Sequence, residues 1–459
     1  MNSNTNLRDL TQGSMLKQII SFSLPMLIGN LLQALYNTVD SIWVGNFLGP
    51  EALGAVSVSS PIIFFLNSMI IGITTAATVL IAQYTGAKDV KMVKKTINNT
   101  LLLICVSGIV ISITGIFFSK DLLKLINAPA AIISMASTYL NIFLAGLVFM
   151  FGYNAASAIL RGLGDSRTPL IFLSIATVLN IILDPFLILG IGPFPRMEVA
   201  GAALATTIAI SISFFTSIWY LNKKGHLLSI NFKEFKFDKE LTLKTIKIGL
   251  PAGLQMSAVS LGALAVNSII NTFGVDIVAS FGMASRLEQF SMMPSQSIGM
   301  ATSAITGQNI GAHKEENVKE TVKWSTILAI IISATITLIA QLNPRLLLGL
   351  FTNDQKLLAL GENNLRILSL SYIPYSMMFI TNGVLRGAGD TLPTLIFSLT
   401  NLWLIRVPLA KYLSSLPQLG ADGIWIAIVI SITIGMLLSR IYYASGRWKR
   451  KKIIEHSDW

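Results

Sequence analysis

Helix-length apolar blocks follow one another along most of this 459-residue chain, and they constrain its fold more than any single motif. Runs such as PLIFLSIATVLNIIL at 169–183 and IIISATITLIA at 330–340 contain almost no charge. A helix crossing about 30 Å of hydrocarbon needs about 20 such residues, because in lipid every backbone polar group must be bonded within its own segment. With 53% of residues apolar, 12% charged and a mean hydropathy of +0.67, too little charge remains to cover a soluble protein of this size. The fold class expected is an all-α polytopic membrane protein.

Twelve spans are expected, at about 18–44, 53–83, 93–118, 131–160, 168–190 and 199–221, then 243–272, 277–307, 321–342, 357–385, 392–413 and 423–444. The net charge of +12 does not point to nucleic acid. Basic residues sit in short segments between apolar blocks, as in GAKDVKMVKK (86–95), NKKG (222–225) and GRWKRKK (446–452). With both termini cytoplasmic, about 24 of the 34 Lys and Arg fall in cytoplasmic segments and about 6 outside, as the positive-inside rule requires. The start, MNSNTNLRDLTQGSMLKQ, has no signal-peptide pattern and reads as a cytoplasmic lead-in. A multi-pass protein of the cell membrane is expected. Cys105, alone of its type, lies inside a span and reads as a small core residue.

The chain is also two copies of one pattern. LRGLGD at 160–165 returns as LRGAGD at 385–390, and AQYTGAKDVKMVK (82–94) returns as GQNIGAHKEENVK (307–319). Each copy holds six spans, so the copies share one orientation and their relation is expected to be pseudo-twofold about the membrane normal. The expected organisation is a cytoplasmic segment at 1–17, an N-lobe at 18–221, a linker at 222–242, a C-lobe at 243–444 and a basic cytoplasmic tail at 445–459.

The chemistry on offer is carboxylate chemistry inside the spans. QALYNTVDSIWVG at 33–45 places Asp40 in an apolar segment with no basic residue within a helical turn. A lone carboxylate at a helix centre costs about 2.5 to 3.5 kcal/mol on the insertion scale, so such residues mark function. Asp184 in VLNIILDPFLILG is the second. Tyr36 and Asn37 precede Asp40 by four and three positions, and Asn180 precedes Asp184 by four, spacings that share a helix face. Asn154 and Thr206 add polar groups on the fourth and sixth spans. The acids are not repeated: Ala265 or Val266 stands where Asp40 does, and LWLIRVP (402–408) puts Val407 where Asp184 stands. A scaffold requirement would appear in both copies, whereas a proton or cation site need appear only once. Low dielectric favours the neutral form of such a group, which lets it load and release a proton.

Prolines 25, 61, 185, 251, 294, 374 and 408 fall within spans. Each removes a helical hydrogen bond and shapes a kink, and Pro25, preceding Asp40 in the same span, is the candidate hinge. The paired RGxGD loops place Arg161 with Asp165 and Arg386 with Asp390 at cytoplasmic helix ends, where a structural clasp is expected. Arg286 and Glu288 are expected to face the interior of the second bundle, and Arg366 and Arg406 are open between pairing and function. His226, His313 and His456 are scattered, and no metal-ligand spacing or phosphate loop occurs, so catalytic residues, a bound cofactor and ATP-driven transport have no support. Energy is then expected from a proton gradient, or from sodium, in which case Asp40, Asn180 and Asp184 would hold the ion.

Twelve spans in two six-helix repeats, the RGxGD pair, GAALAT at 201–206 and the Asn180–Asp184–Pro185 segment together resemble the multidrug and toxic compound extrusion (MATE) family over nearly the whole chain. The acids on the first and fifth spans are similar to those of its DinF-like branch. The NorM-like branch carries carboxylates central in the seventh and tenth spans, where this chain has none. The resemblance implies a V-shaped pair of six-helix bundles that rocks between outward and inward states. It also implies export of amphipathic, mostly cationic organic compounds in exchange for protons, with Asp40 as the coupling residue, Asp184 its partner, and Tyr36, Asn37, Asn154, Asn180 and Thr206 around them. A flippase for lipid-linked oligosaccharide precursors is the rival within this architecture, and a membrane enzyme or receptor lies further off.

Overall fold

The computed structural model describes residues 9–223, 237–451 and 453. Residues 1–8 of the expected N-terminal segment, 224–236 of the expected linker with His226, and 452 and 454–459 of the tail with His456 lie outside the described residues.

Within them the chain is helical, without strands. The first half contains α1 (Met15–Leu48), α2 (Pro50–Gly86), α3 (Val90–Leu125), α4 (Ala130–Ala145), α5 (Leu147–Gly162), α6 (Arg167–Leu189) and α7 (Glu198–Lys223). The second contains α8 (Lys239–Ile270), α9 (Val275–Gly311), α10 (Glu315–Leu342), the short α11 (Pro344–Leu348), α12 (Gln355–Ser369), α13 (Tyr372–Gly387), α14 (Thr391–Leu399), α15 (Val407–Ser414) and α16 (Asp422–Ala444). Nine of these segments are long and apolar enough to cross a membrane, counting α14 to α15 as one, and the pair α4–α5, bent by 47° at Gly146, is a tenth. The other two expected spans appear as α9, which carries Asp276, Arg286 and Glu288, and as α12–α13, interrupted at Leu370–Ser371.

Local chemistry sets the helix ends. The Asp89 carboxylate accepts from Met92 N at 3.0 Å and starts α3, and Asp354 does the same for α12 from Lys356 N and Leu357 N. The two RGxGD turns use Gly164 and Gly389 at φ of 92° and 76°, a region open to glycine without cost. Asp165 then caps α6, accepting from Arg167 N, Thr168 N and the Thr168 hydroxyl. Its counterpart Asp390 accepts from the Tyr442 hydroxyl at 2.6 Å and meets Lys451 at 3.2 Å. Between α14 and α15, residues Thr400–Arg406 wind as a π-helix.

The chain divides into two compact units, and the division falls inside helices. Pro25–Leu250 belongs to the first unit, while Leu10–Leu24 belongs to the second together with the chain from Pro251 onward. The two units therefore change over at Pro25 in α1 and Pro251 in α8, each several residues past the expected lobe starts at 18 and 243. The early segment is tied firmly into the second unit: Leu10 N donates to Gln308 Oε1 at 3.0 Å, Asn309 Nδ2 donates to Leu10 O at 3.2 Å, and Lys314 Nζ donates to Thr11 O at 2.8 Å. Leu10, Met15, Ile19 and Phe22 are buried there.

In the first unit, α6 and α7 form the closest pair. A Cβ on Gly201 would lie 2.5 Å from the Leu187 carbonyl oxygen, so glycine is what lets the two backbones meet. Ala205, one turn on from Gly201, continues its small-residue face, and Ala202, Ala203 and Ala205 are all buried. The GAALAT motif therefore has a packing role, and its last residue, Thr206, is carried against α6. A core of Val44, Ala52, Tyr139, Ile188, Val199, Ala202 and Ala203 fills the space between α1, α2, α4, α6 and α7.

Candidate functional site

The first unit gathers both expected acids into one cluster. Asn180 is fully buried on α6, and its Nδ2 donates to Asp184 Oδ1 at 3.1 Å one turn along the same helix. The same Nδ2 reaches Thr206 Oγ1 on α7 at 3.4 Å. Tyr36 on α1 is 7% exposed and turns its phenol toward Thr206, while Asp40 lies one turn further along α1, near enough for its charge to act on Asp184. Tyr139 on α4 closes the cluster, within electrostatic reach of both carboxylates. Four helices thus contribute to one polar cluster, and Tyr139 joins it to the apolar core.

The cluster is short of partners. Asp40 Oδ1, Asp184 Oδ2, Asn180 Oδ1 and the Tyr36 hydroxyl are all buried without a hydrogen bond among the described residues. A buried polar atom left unpaired costs about 1 to 3 kcal/mol, and several together mark a place where something else binds. No group of three or more His, Cys, Asp or Glu positioned for a metal ion occurs among the described residues.

The other expected residues fall elsewhere. Asn37 is exposed on α1, bonded by Gln33, and stays outside the cluster. Asn154 on α5 is half-buried and donates to Met150 O at 2.9 Å. Pro25 stands at the point where α1 passes from the second unit to the first. From Pro25 to Leu48, Tyr36 and Val44 are the only buried side chains, so this part of α1 is lightly held. Tyr139 escaped sequence reasoning, because a tyrosine in an apolar run carries no local mark; its neighbour Asn141 in the same span was the available signal. Arg286 is exposed, whereas Glu288 faces the charge of Arg406 inside the second unit.

The chain was compared with known proteins. The MatE family model matches it twice, at residues 25–186 and 251–412, each copy starting at the proline that bounds a unit. It is 36% identical over 446 residues to a probable multidrug resistance protein, YpnP, of Bacillus subtilis, covering 97% of this chain and 98% of that one. Among solved structures it is similar to a MOP superfamily transporter of Pyrococcus furiosus, with a TM-score of 0.89 at 26% identity over 98% of this chain and 100% of the other. It is equally similar to a MATE protein solved in a straight conformation, with a TM-score of 0.89 at 27% identity over 97% and 100% of the two chains. The chain belongs to the MATE family of multidrug efflux transporters: it is a multi-pass membrane protein that handles small molecules, and not an enzyme.

Proposed function

We propose that this transporter is a secondary active antiporter that exports amphipathic, mostly cationic organic compounds in exchange for protons, by alternating access, with Asp40 as the coupling carboxylate and Asp184 as its partner. The observation that carries the reading is the first-unit cluster: two acids on α1 and α6, no base beside them, and carboxylate oxygens without partners. The position of the acids supports the DinF-like branch, and the Lys and Arg distribution supports cytoplasmic termini in a cell membrane.

Substrate cation and proton compete for the same negative charge. With Asp40 ionised, a cationic drug is held electrostatically. When external protons neutralise Asp40, that attraction and the mutual repulsion of the two carboxylates vanish together, and the lightly held part of α1 beyond Pro25 rearranges to release the drug. Coupling requires only that the proton bind the two states with different affinity. Tyr36 links the carboxylate to the position of α1, since it is that segment's main buried anchor near the site.

Sodium coupling is the second reading, favoured by one observation: Asp40 Oδ1, Asp184 Oδ2 and Asn180 Oδ1 are unbonded oxygens in one cluster. A flippase for lipid-linked pyrophosphates would need the opposite charge at this place. The deciding experiment is efflux of a fluorescent cationic dye from liposomes holding the purified protein, under an imposed pH gradient or an imposed sodium gradient, with Asp40→Asn alongside. Transport driven by pH alone and lost in the variant supports the proton reading. Transport driven by sodium transfers the same oxygens to a cation site, and an Asp40→Asn protein with full pH-driven efflux removes Asp40 from the mechanism.

A further inference from the structure

The end of the second unit that carries the basic tail holds an arginine without an acid. α10 and α16 both pack against α13 but not closely against each other, so a furrow floored by α13 separates them. Val318 and Val322 of α10 share a buried core there with Val384 and Leu385 of α13 and with Trp448. Arg440, one turn inside the end of α16, reaches across the furrow: its Nη2 donates to Thr326 Oγ1 on α10 at 3.1 Å. Tyr443, one turn further, stacks on Trp448 with ring centroids 5.6 Å apart, and Trp448 Nε1 donates to Tyr443 O at 3.0 Å. Lys449 then pairs with Glu315, at the start of α10, at 2.8 Å and closes this end.

The acids at this end are held by other cations: Glu315 by Lys449, Glu316 by Lys319 at 2.7 Å, and Asp390 by Lys451 at 3.2 Å. Among the described residues Arg440, Lys323, Arg447 and Arg450 have no ion pair, against one unpaired carboxylate, Glu320. The Nε of Arg440 is also buried without a partner among the described residues. Arginine stays protonated at any physiological pH, and an unpaired charge inside a span is costly and marks function. Lys319, Lys323 and Thr326 follow one another at helical spacing on α10, as Arg440, Tyr443 and Arg447 do at the end of α16. Exposed apolar side chains continue both walls into the bilayer. Ile327 and Ile331 follow the exposed Lys323 by one and two turns, and Leu437 precedes Arg440 by one. The first copy has no such arrangement. Aligning AQYTGAKDVKMVK with GQNIGAHKEENVK sets Asn98 and Leu101 opposite Lys323 and Thr326, and α7 has no basic residue before Lys223, its last. A need of the scaffold would recur in both.

We propose that the furrow between α10 and α16 binds one anionic glycerophospholipid, with its headgroup phosphate on Arg440 and Lys323 and its acyl chains along Ile327, Ile331 and Leu437. A guanidinium matches two phosphate oxygens at once, and the Thr326 hydroxyl fixes its direction. Basic pockets between spans suit such headgroups, because the chains stay in hydrocarbon while the phosphate meets fixed cations. The aromatic wall of Tyr443 and Trp448 stands at headgroup depth, where amphipathic rings are favoured. The leaflet is the cytoplasmic one in the orientation proposed above. The site is independent of what the protein exports.

The test is native mass spectrometry of the delipidated full-length protein, titrated with phosphatidylglycerol or with phosphatidylcholine of the same chains, whose choline cancels the headgroup charge. Wild type should bind one phosphatidylglycerol about tenfold or more tightly than phosphatidylcholine. Arg440→Gln should raise the Kd for phosphatidylglycerol about tenfold, the loss of one charge-assisted pair, and Arg440→Lys should recover part of it. Lys323→Gln alters an exposed residue that has no ion pair, so its fold is not at risk, and it should weaken phosphatidylglycerol several-fold. Lys91→Gln takes the same charge from an exposed position on α3 and should leave the Kd within about twofold. Equal affinity of wild type for the two lipids would overturn the site. So would equal losses in Arg440→Gln and Lys91→Gln, which would reduce the preference to net charge. Displacement of phosphatidylglycerol by an equal concentration of glycerol 3-phosphate would assign the cations to a soluble phosphate and overturn the lipid.

Discussion

At the scale of single residues, the first-unit site is defined by what its side chains lack. Asp40→Asn keeps shape and removes charge, so pH-driven dye efflux should fall at least about tenfold while the protein still folds. Tyr36→Phe should leave the thermal midpoint of the purified protein unchanged or raise it, because a buried hydroxyl with no partner carries a desolvation cost that the variant removes. A large drop would show that the phenol is bonded after all. Asp238, outside the membrane spans, offers a pH test. It accepts from Leu241 N at 2.8 Å and pairs with Lys95, and these bonds hold its carboxyl below the usual range. A depressed folded value means that its contribution is present above the unfolded pKa, about 4, and is lost as pH falls through the folded value. Asp238→Ala should therefore lower the melting temperature at neutral pH, by the equivalent of about 0.5–2 kcal/mol for a lost cap, and the gap to wild type should close in acid. Helical spacing picked out Tyr36 with Asp40 and Asn180 with Asp184. It could not reject Asn37, since positions three and four before Asp40 fall on either side of its direction, and which side faces the interior is decided by the neighbouring helices.

At the scale of elements, close approach explains the motifs that carry no charge. Gly201→Val would drive a branched side chain into the Leu187 carbonyl, prise α6 from α7 and move Thr206 away from Asn180. Overpacking of this kind costs about 1 to 3 kcal/mol, so a lower melting temperature and reduced dye efflux are expected together. Pro25→Ala restores a hydrogen bond in α1 and stiffens it. Binding of a cationic dye should persist while its efflux slows, a split that ordinary loss of folding would not give. The composition of α1 shows a span; its loose hold between Pro25 and Leu48 does not show there, because lipid-facing and protein-facing apolar residues look alike in sequence.

At the scale of the whole molecule, the repeats exchange helix ends. Leu10–Leu24 is built into the second unit through Gln308, Asn309 and Lys314, and Asp238 and Thr242 at the start of α8 are bonded to Asn99 of the first. A fragment beginning at residue 237 lacks the segment that buries Leu10, Met15, Ile19 and Phe22 in its unit. Expressed alone it should aggregate or be degraded, and co-expression with a fragment ending at 223 should rescue it, read by co-purification on one tag. Recovery of a stable lone fragment would show the exchange to be dispensable. By itself the sequence determined the membrane class, the duplication and the presence of two acids inside spans. All of these follow from local hydropathy, charge placement and repetition, which bilayer physics imposes on every span separately. Only the tertiary structure decided that Tyr139 joins the acids, that Asn37 does not, and that the unit boundaries run through Pro25 and Pro251. Those outcomes depend on which helix faces meet, and lipid, unlike water, leaves no polarity difference in the chain to mark them.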